Sequence, residues 1–179
     1  MKNAITNKVK WYLFVPLVFL SLLIANGNIY NPPAREHKRV DFAQVKCLAT
    51  SIFFEAKGEP LSGQAAVARV VMNRVSHGFA STPCKVVYQI TMRERSDGFV
   101  KLCQFSWVCD DKIKPNERDP RYIKALNIAF RVIADDAFKD VIPKNVLFFH
   151  SINVDPNWPY RKVSQIGNHI FYAKHYRKT

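Results

Sequence analysis

Residues 11–25, WYLFVPLVFLSLLIA, constrain the folding of this chain more than any other feature. They are apolar except for Pro16 and Ser21, and Lys2, Lys8 and Lys10 precede them. A basic flank followed by an apolar run of 15 residues is the pattern of a secretory signal. Ala25-Asn26-Gly27 supplies small residues of the kind found at a signal cleavage site. No charge occurs between Lys10 and Arg35, and those 24 uncharged residues would span a bilayer as a helix of roughly 36 Å. Both outcomes stay open: a cleaved signal peptide, or a signal anchor in the inner membrane with its N-terminus cytoplasmic. Either one takes residues 1–28 out of the folded domain and places the rest in the periplasm or cell envelope.

Residues 29–40 (IYNPPAREHKRV) are polar, carry Pro32-Pro33, and read as a linker. The folded domain is then 41–179. The chain has 27 basic and 14 acidic residues, and 24 basic residues remain after the export segment, for a net charge of +10. A field of that sign concentrates polyanions, whether nucleic acid, anionic lipid or an acidic wall polymer. The basic residues form no helical stripe and no nucleic-acid motif, and export argues against nucleic acid as a partner. Hydrophobic residues make up 48% of the chain, ample for a packed core, so disorder is excluded.

Cys47, Cys84, Cys103 and Cys109 suit an exported protein with up to two disulfides. No C-x-x-C pair and no H-x-x-x-H pair occurs, so neither a metal site nor any cofactor is expected. Three pairings are open, with Cys103–Cys109 favoured by the five residues between them, leaving Cys47–Cys84.

Asp41 is a good N-cap, Gln44 completes a capping-box-like start, and Gly58 is placed to end the helix as a C′ glycine. Between them Phe42, Val45, Leu48, Ala49, Ile52, Phe53 and Ala56 form one stripe at helical spacing. Cys47 lies nearly opposite that stripe. A second helix is predicted over Ser62–Val75, with Val67, Val70, Val71 and Val75 inward. A third opens at Asp119 and Pro120 and carries Ile123, Leu126, Ala129, Phe130, Ile133 and Ala137. Residues 77–111 read as irregular, with short strands at Val86-Val87-Tyr88 and Gln104–Val108. Val146–Phe149 and His169–Tyr172 read as strands. Helices first and strands late make the class α+β, mainly helical with short strands.

Glu55 falls in the last turn of the first helix, roughly 90° from the centre of the apolar stripe. Partial desolvation and the negative end of the helix both disfavour its charge. A carboxyl so placed can stay protonated near neutrality and donate to a leaving oxygen. The bland alternative is a surface ion pair with a neighbouring Lys or Arg.

The runs Cys47-Leu48-Ala49, Phe54-Glu55-Ala56-Lys57-Gly58-Glu59-Pro60, Gly63-Gln64 and Asn73-Arg74-Val75 resemble the cell-wall hydrolase family typified by the spore cortex-lytic enzymes. Pro83–Tyr88, Cys103-Gln104-Phe105-Ser106-Trp107 and Gly167–Tyr172 continue the resemblance in the same order. It implies a lysozyme-like catalytic scaffold, cleavage of peptidoglycan glycan strands, commonly as a lytic transglycosylase, and Glu55 as the catalytic acid. Lys57 stands where arginine is usual, and Phe54 where some members have glycine, which would narrow the site.

One acid suffices for a lytic transglycosylase at the MurNAc-GlcNAc bond, whereas a muramidase or glucosaminidase normally needs a second carboxylate, for which Glu59, Glu94 and Asp97 are candidates. Glu59 also reads as the cap or N-terminal charge of the second helix. Gln64, Gln104 and Ser106 suit N-acetyl and hydroxyl groups, and Phe105 and Trp107 suit sugar rings, although strand alternation over 104–108 would turn half of these inward. His169 and Tyr172 read as fold-stabilising. Two other classes are a cysteine-dependent amidase or endopeptidase, with Cys47 as nucleophile and His150 or His169 as base, and a non-enzymatic basic binding module. A short catalytic domain behind an export segment also suits a phage endolysin.

Overall fold

The computed structural model describes residues 39–110 and 112–174. The expected export segment, 1–28, and the expected linker up to residue 38 lie outside the described residues. The chain divides into two units, Met1–His37 and Lys38–Thr179, and the described residues belong to the second.

In chain order that unit runs α1 (Phe42–Ala56), α2 (Leu61–Ser76), the short α3 (Pro83–Val87), β1 (Ile90–Arg95), β2 (Gly98–Cys103), a 3-10 turn (Ser106–Cys109), α4 (Pro120–Asp135), β3 (Val146–Ser151), β4 (Arg161–Ile166) and β5 (His169–Ala173). β1 and β2 form an antiparallel hairpin, and a separate antiparallel sheet has the order β3-β5-β4. The class is α+β. Among the described residues no helix is long and apolar enough to cross a membrane.

Asp41 caps α1 by accepting from Ala43 N at 2.9 Å. Gln44 does not close a capping box. Its Nε2 reaches Asp41 Oδ2 (3.3 Å), and its Oε1 accepts from Cys84 N (3.0 Å), because the Cys47–Cys84 disulfide holds α3 beside this turn. The predicted stripe is buried from Val45 to Ala56, while Phe42 stays 64% exposed against the ring of Phe130. The helix ends without a left-handed glycine: Lys57 is the C-cap in αR, and Gly58 has no positive φ. Pro60 supplies the stop instead, since it disfavours helical backbone at Glu59.

α2 is the central helix. Ala68 and Val71 pack with α1 and α4, while Ala66 and Val70 pack on the sheet through Ile142, Val146, Phe171 and Ala173. Its alanines and Gly63 permit approach from both sides, so Arg69, Asn73 and Arg74 are buried as well, and Val75 is only half-buried.

α4 starts at Asp119 and Pro120 as predicted, but its buried face is Tyr122, Ala125, Ile128, Ala129 and Val132. Ile123 and Phe130 remain exposed. The face is turned by one residue because Ala125 and Ala129 allow close approach to α1 and the Tyr122 ring meets Phe53 edge-on at 5.6 Å. Asp136, at φ 50°, ends the helix before Ala137.

Neither predicted strand between residues 77 and 111 forms. Val86-Val87-Tyr88 belongs to α3 and its cap, where the Thr82 side chain accepts from Lys85 N and Pro83 fills the first turn. Gln104–Val108 curls into the 3-10 turn inside the Cys103–Cys109 loop. The hairpin forms over 90–103 instead. The strands at 146–151 and 169–173 are present, and the polar β4, Arg-Lys-Val-Ser-Gln-Ile, pairs on the outer side of β5.

Candidate active site

A cleft of about 380 Å³ opens between the end of α1, the 104–106 segment and the sheet. Glu55, Arg74, Gln104, Phe105, Ser106, Phe148, Phe149, His150, Ser151, Trp158 and His169 line it. Glu55 is the one carboxylate in that lining.

Glu55 is half-buried, and Trp107 Nε1 donates to its Oε1 at 2.9 Å. Burial raises the Glu55 pKa above the ordinary carboxylate value, while the Trp107 hydrogen bond and the charge of Arg74 oppose the rise without cancelling it. The cause is desolvation. A carboxyl in this environment can hold a proton and deliver it to an oxygen in the cleft.

Arg74 comes from α2 and is 4% exposed. Its Nε donates to Leu147 O at 2.8 Å, and Phe79, Phe105 and Phe148 surround the guanidinium with ring centroids within 6.0 Å. Burial brings its pKa down to about 10, so it is still charged at neutral pH. Nη1 is buried without a hydrogen-bond partner.

Trp107 is held on three sides. Phe54 lies 4.8 Å from it, Tyr88 5.9 Å edge-on, and Phe105 6.1 Å stacked. Phe54 thus braces Trp107 and is absent from the cleft lining, so it does not narrow the site as expected. Phe105 is both core, at 5% exposure, and cleft wall. The alternation argument fails here because residues 104–108 are not a strand.

The other predicted residues divide sharply. Gln104 and Ser106 line the cleft. Gln64 does not: it is buried, and its Nε2 donates to Glu59 O at 2.7 Å across the turn between α1 and α2. Glu59 is not the cap of α2 either, since Pro60 occupies that position. Its carboxylate accepts from Asn168 N (2.8 Å) and Asn168 Nδ2 (3.1 Å), locking the α1–α2 turn to the β4–β5 turn. Glu94 and Asp97 are on the exposed hairpin, outside the lining.

His169 lines the cleft with Nδ1 4.0 Å from Glu59 Oε2, and burial lowers its pKa, keeping the imidazole neutral at neutral pH. His150 Nδ1 donates to Ser151 O at 2.8 Å, which leaves Nε2 to accept from Tyr172 OH at 2.9 Å. Arg74, Phe148, Phe149 and Trp158 were not assigned to the site from sequence, and His150 entered only as a base in the cysteine-dependent reading. Nothing in the sequence set Arg74 apart, since α2 also carries Gln64, Arg69 and Asn73.

Cys47–Cys84 and Cys103–Cys109 are both disulfides, with no free cysteine among the described residues. The favoured pairing is the one observed. Cys47 therefore has no thiol to act as a nucleophile, and the cysteine-dependent reading is overturned. Among the described residues no three His, Cys, Asp or Glu side chains come together as a metal-binding set.

Glu55, an acid with a raised pKa, thus lies in an aromatic and polar cleft of an α+β domain. The profile of the family described as Cell Wall Hydrolase matches residues 58–172. The chain belongs to the cell wall hydrolase family and is a peptidoglycan-degrading enzyme. The matched span begins three residues after Glu55. Among solved structures, the fold is similar to the catalytic domain of the Bacillus cereus SleB protein, with TM-score 0.51 and 23% identity over 76% of this chain and 94% of that one. No curated protein matches the chain.

Proposed function

We propose that the chain cleaves the MurNAc-GlcNAc bond as a lytic transglycosylase, with Glu55 as its catalytic acid and base. The observation that carries this reading is that Glu55 is the single carboxylate lining the cleft, with its pKa raised by burial. Glu59, Glu94 and Asp97 lie outside that lining, which favours a one-acid mechanism over a glycosidase that activates water with a second carboxylate.

Trp107 occupies Oε1, leaving Oε2 to carry the proton. Glu55 donates that proton to the glycosidic oxygen as the C1–O bond breaks, and the leaving sugar departs with a hydroxyl. The muramoyl C6 hydroxyl then attacks C1, its proton passes to the Glu55 carboxylate, and a 1,6-anhydro ring closes. The acid is regenerated and no water is consumed. Trp107 and Arg74 stabilise the transient carboxylate. Phe148, Phe149 and Trp158 offer apolar faces to sugar rings, and Gln104, Ser106 and His150 offer partners for N-acetyl and hydroxyl groups.

Residues 1–28 serve in this reading as the export segment and 41–179 as the catalytic domain. Two disulfides suit the oxidising compartment that export implies. Mass analysis of products from purified peptidoglycan tests the mechanism: anhydro ends are expected, and reducing ends would replace it with hydrolysis. Intact mass of the protein from membrane and soluble fractions separates a cleaved signal from an anchor.

A further inference from the structure

A second cavity, of about 310 Å³, has Trp107 in its wall. Trp107 links the two: it bonds Glu55, which lines the cleft, and itself lines this cavity. Ile90 and Lys101 reach the cavity from the hairpin, Tyr88 from the end of α3, and Ile113 and Lys114 from the loop before α4. Its wall is thus part apolar and part cationic.

The apolar side chains are conspicuous because nothing among the described residues covers them. Tyr88, Ile90 and Ile113 are all exposed, at 45%, 46% and 42%. Lys101 and Lys114 are exposed too, and among the described residues neither forms an ion pair. Asp110 is the one acid in the lining, with its Oδ1 engaged by Lys112 N at 3.0 Å, so two cations face one anion. A folded surface gains nothing from an open apolar pocket rimmed by unpaired lysines, whereas an acidic, partly apolar ligand would satisfy both.

We infer that this cavity binds the acidic peptide stem carried on the muramoyl lactyl group of the glycan being cut. This rests on the proposed glycan cleavage at Glu55. Stems combine methyl side chains with free carboxylates, matching the isoleucines and the lysines respectively. A stem leaves the sugar close to the scissile bond, and three extended residues reach about 10 Å, enough to pass the edge of one indole. The site makes stem-bearing glycan the preferred substrate over bare glycan.

The test compares kcat/KM for glycosidic cleavage of peptidoglycan and of the same strands stripped of peptides, using the full chain. The wild type is expected to prefer stem-bearing strands by roughly tenfold, through KM, as two partly exposed lysine–carboxylate pairs would give. The preference should fall as salt rises. Lys101→Ala/Lys114→Ala should abolish the preference and leave cleavage of bare strands unchanged; Lys101→Glu/Lys114→Glu should reverse it. Equal rates on both substrates in the wild type, or an equal loss on both in the double variant, would overturn the inference. Cleavage of neither substrate by the folded wild type would overturn the reading of Glu55 instead.

Discussion

The indole N–H of Trp107 donates to Oε1 of Glu55 at 2.9 Å, joining two residues 52 positions apart. The bond fixes the rotamer of the acid and occupies one of its oxygens. It also favours the charged form that burial disfavours, so Glu55 is poised by two opposed effects of which burial is the larger. Trp107 is in turn set by the loop that the Cys103–Cys109 disulfide closes.

Glu55→Gln should lower lytic activity by about 10²–10⁴-fold, the scale of general-acid catalysis, with the fold retained. It should also change stability in a definite direction. Because the folded pKa is raised, the favourable contribution of Glu55 is complete below the ordinary carboxylate pKa and lost as pH rises through the folded value. Gln carries no charge to desolvate. Melting curves across pH should therefore show the variant gaining on the wild type toward alkaline pH, with the gap closing toward acid. A gap that widens toward acid would contradict a raised pKa.

Trp107→Phe keeps the ring and removes the donor. The hydrogen bond lowers the Glu55 pKa, so its loss raises that pKa further. In the proposed mechanism the reaction needs the protonated acid, and the alkaline limb of the pH–rate profile should move upward. The maximal rate should fall roughly 10–100-fold as the developing carboxylate loses a charge-assisted bond. An unchanged limb would mean that Trp107 acts only through packing.

The two disulfides should separate stability from activity. Cys47–Cys84 spans 37 positions and Cys103–Cys109 only 6. Chain entropy then assigns them about 4 and about 2 kcal/mol. Replacing Cys47 and Cys84 by Ser should lower the melting temperature more. Replacing Cys103 and Cys109 should cost more activity per degree lost, because Gln104–Trp107 lie inside that loop. Paired melting and lysis measurements on the two variants decide this.

Glu59→Gln should cost less than tenfold in activity, since the carboxylate holds the β4–β5 turn and lies outside the cleft lining. A loss equal to that of Glu55→Gln would instead indicate a hydrolase with two carboxylates. Gly167→Ala should destabilise by more than about 1 kcal/mol in thermal or denaturant unfolding. Gly167 has φ +57°, and a Cβ there would overlap Glu59 Oε2.

Much of this protein is written in local patterns. Asp41 and Asp119 mark helix starts, the stripe from Val45 to Ala56 marks a buried face, and the position of Glu55 relative to that stripe gives its half-buried state. Cys47, facing away from the stripe, needed a partner outside the helix and has one in Cys84. These follow from helical periodicity and capping, which act within a few residues.

What depended on distant residues was not legible. Gln104–Val108 reads as a strand by composition, yet a disulfide curls it into the turn that presents Trp107 to Glu55. The stripe of α4 is turned by one residue because Ala125 and Ala129 pack against α1, a choice periodicity leaves open between two apolar faces. Glu59 suits a helix cap until Asn168, 109 positions away, claims its carboxylate. Arg74 belongs to the site only because α2 lies between the other helices and the sheet. Sequence settled which residues bear reactive groups and where the three long helices lie; the tertiary structure alone decided which of them meet, because hydrogen bonds and burial between segments far apart in the chain leave no periodic trace along it.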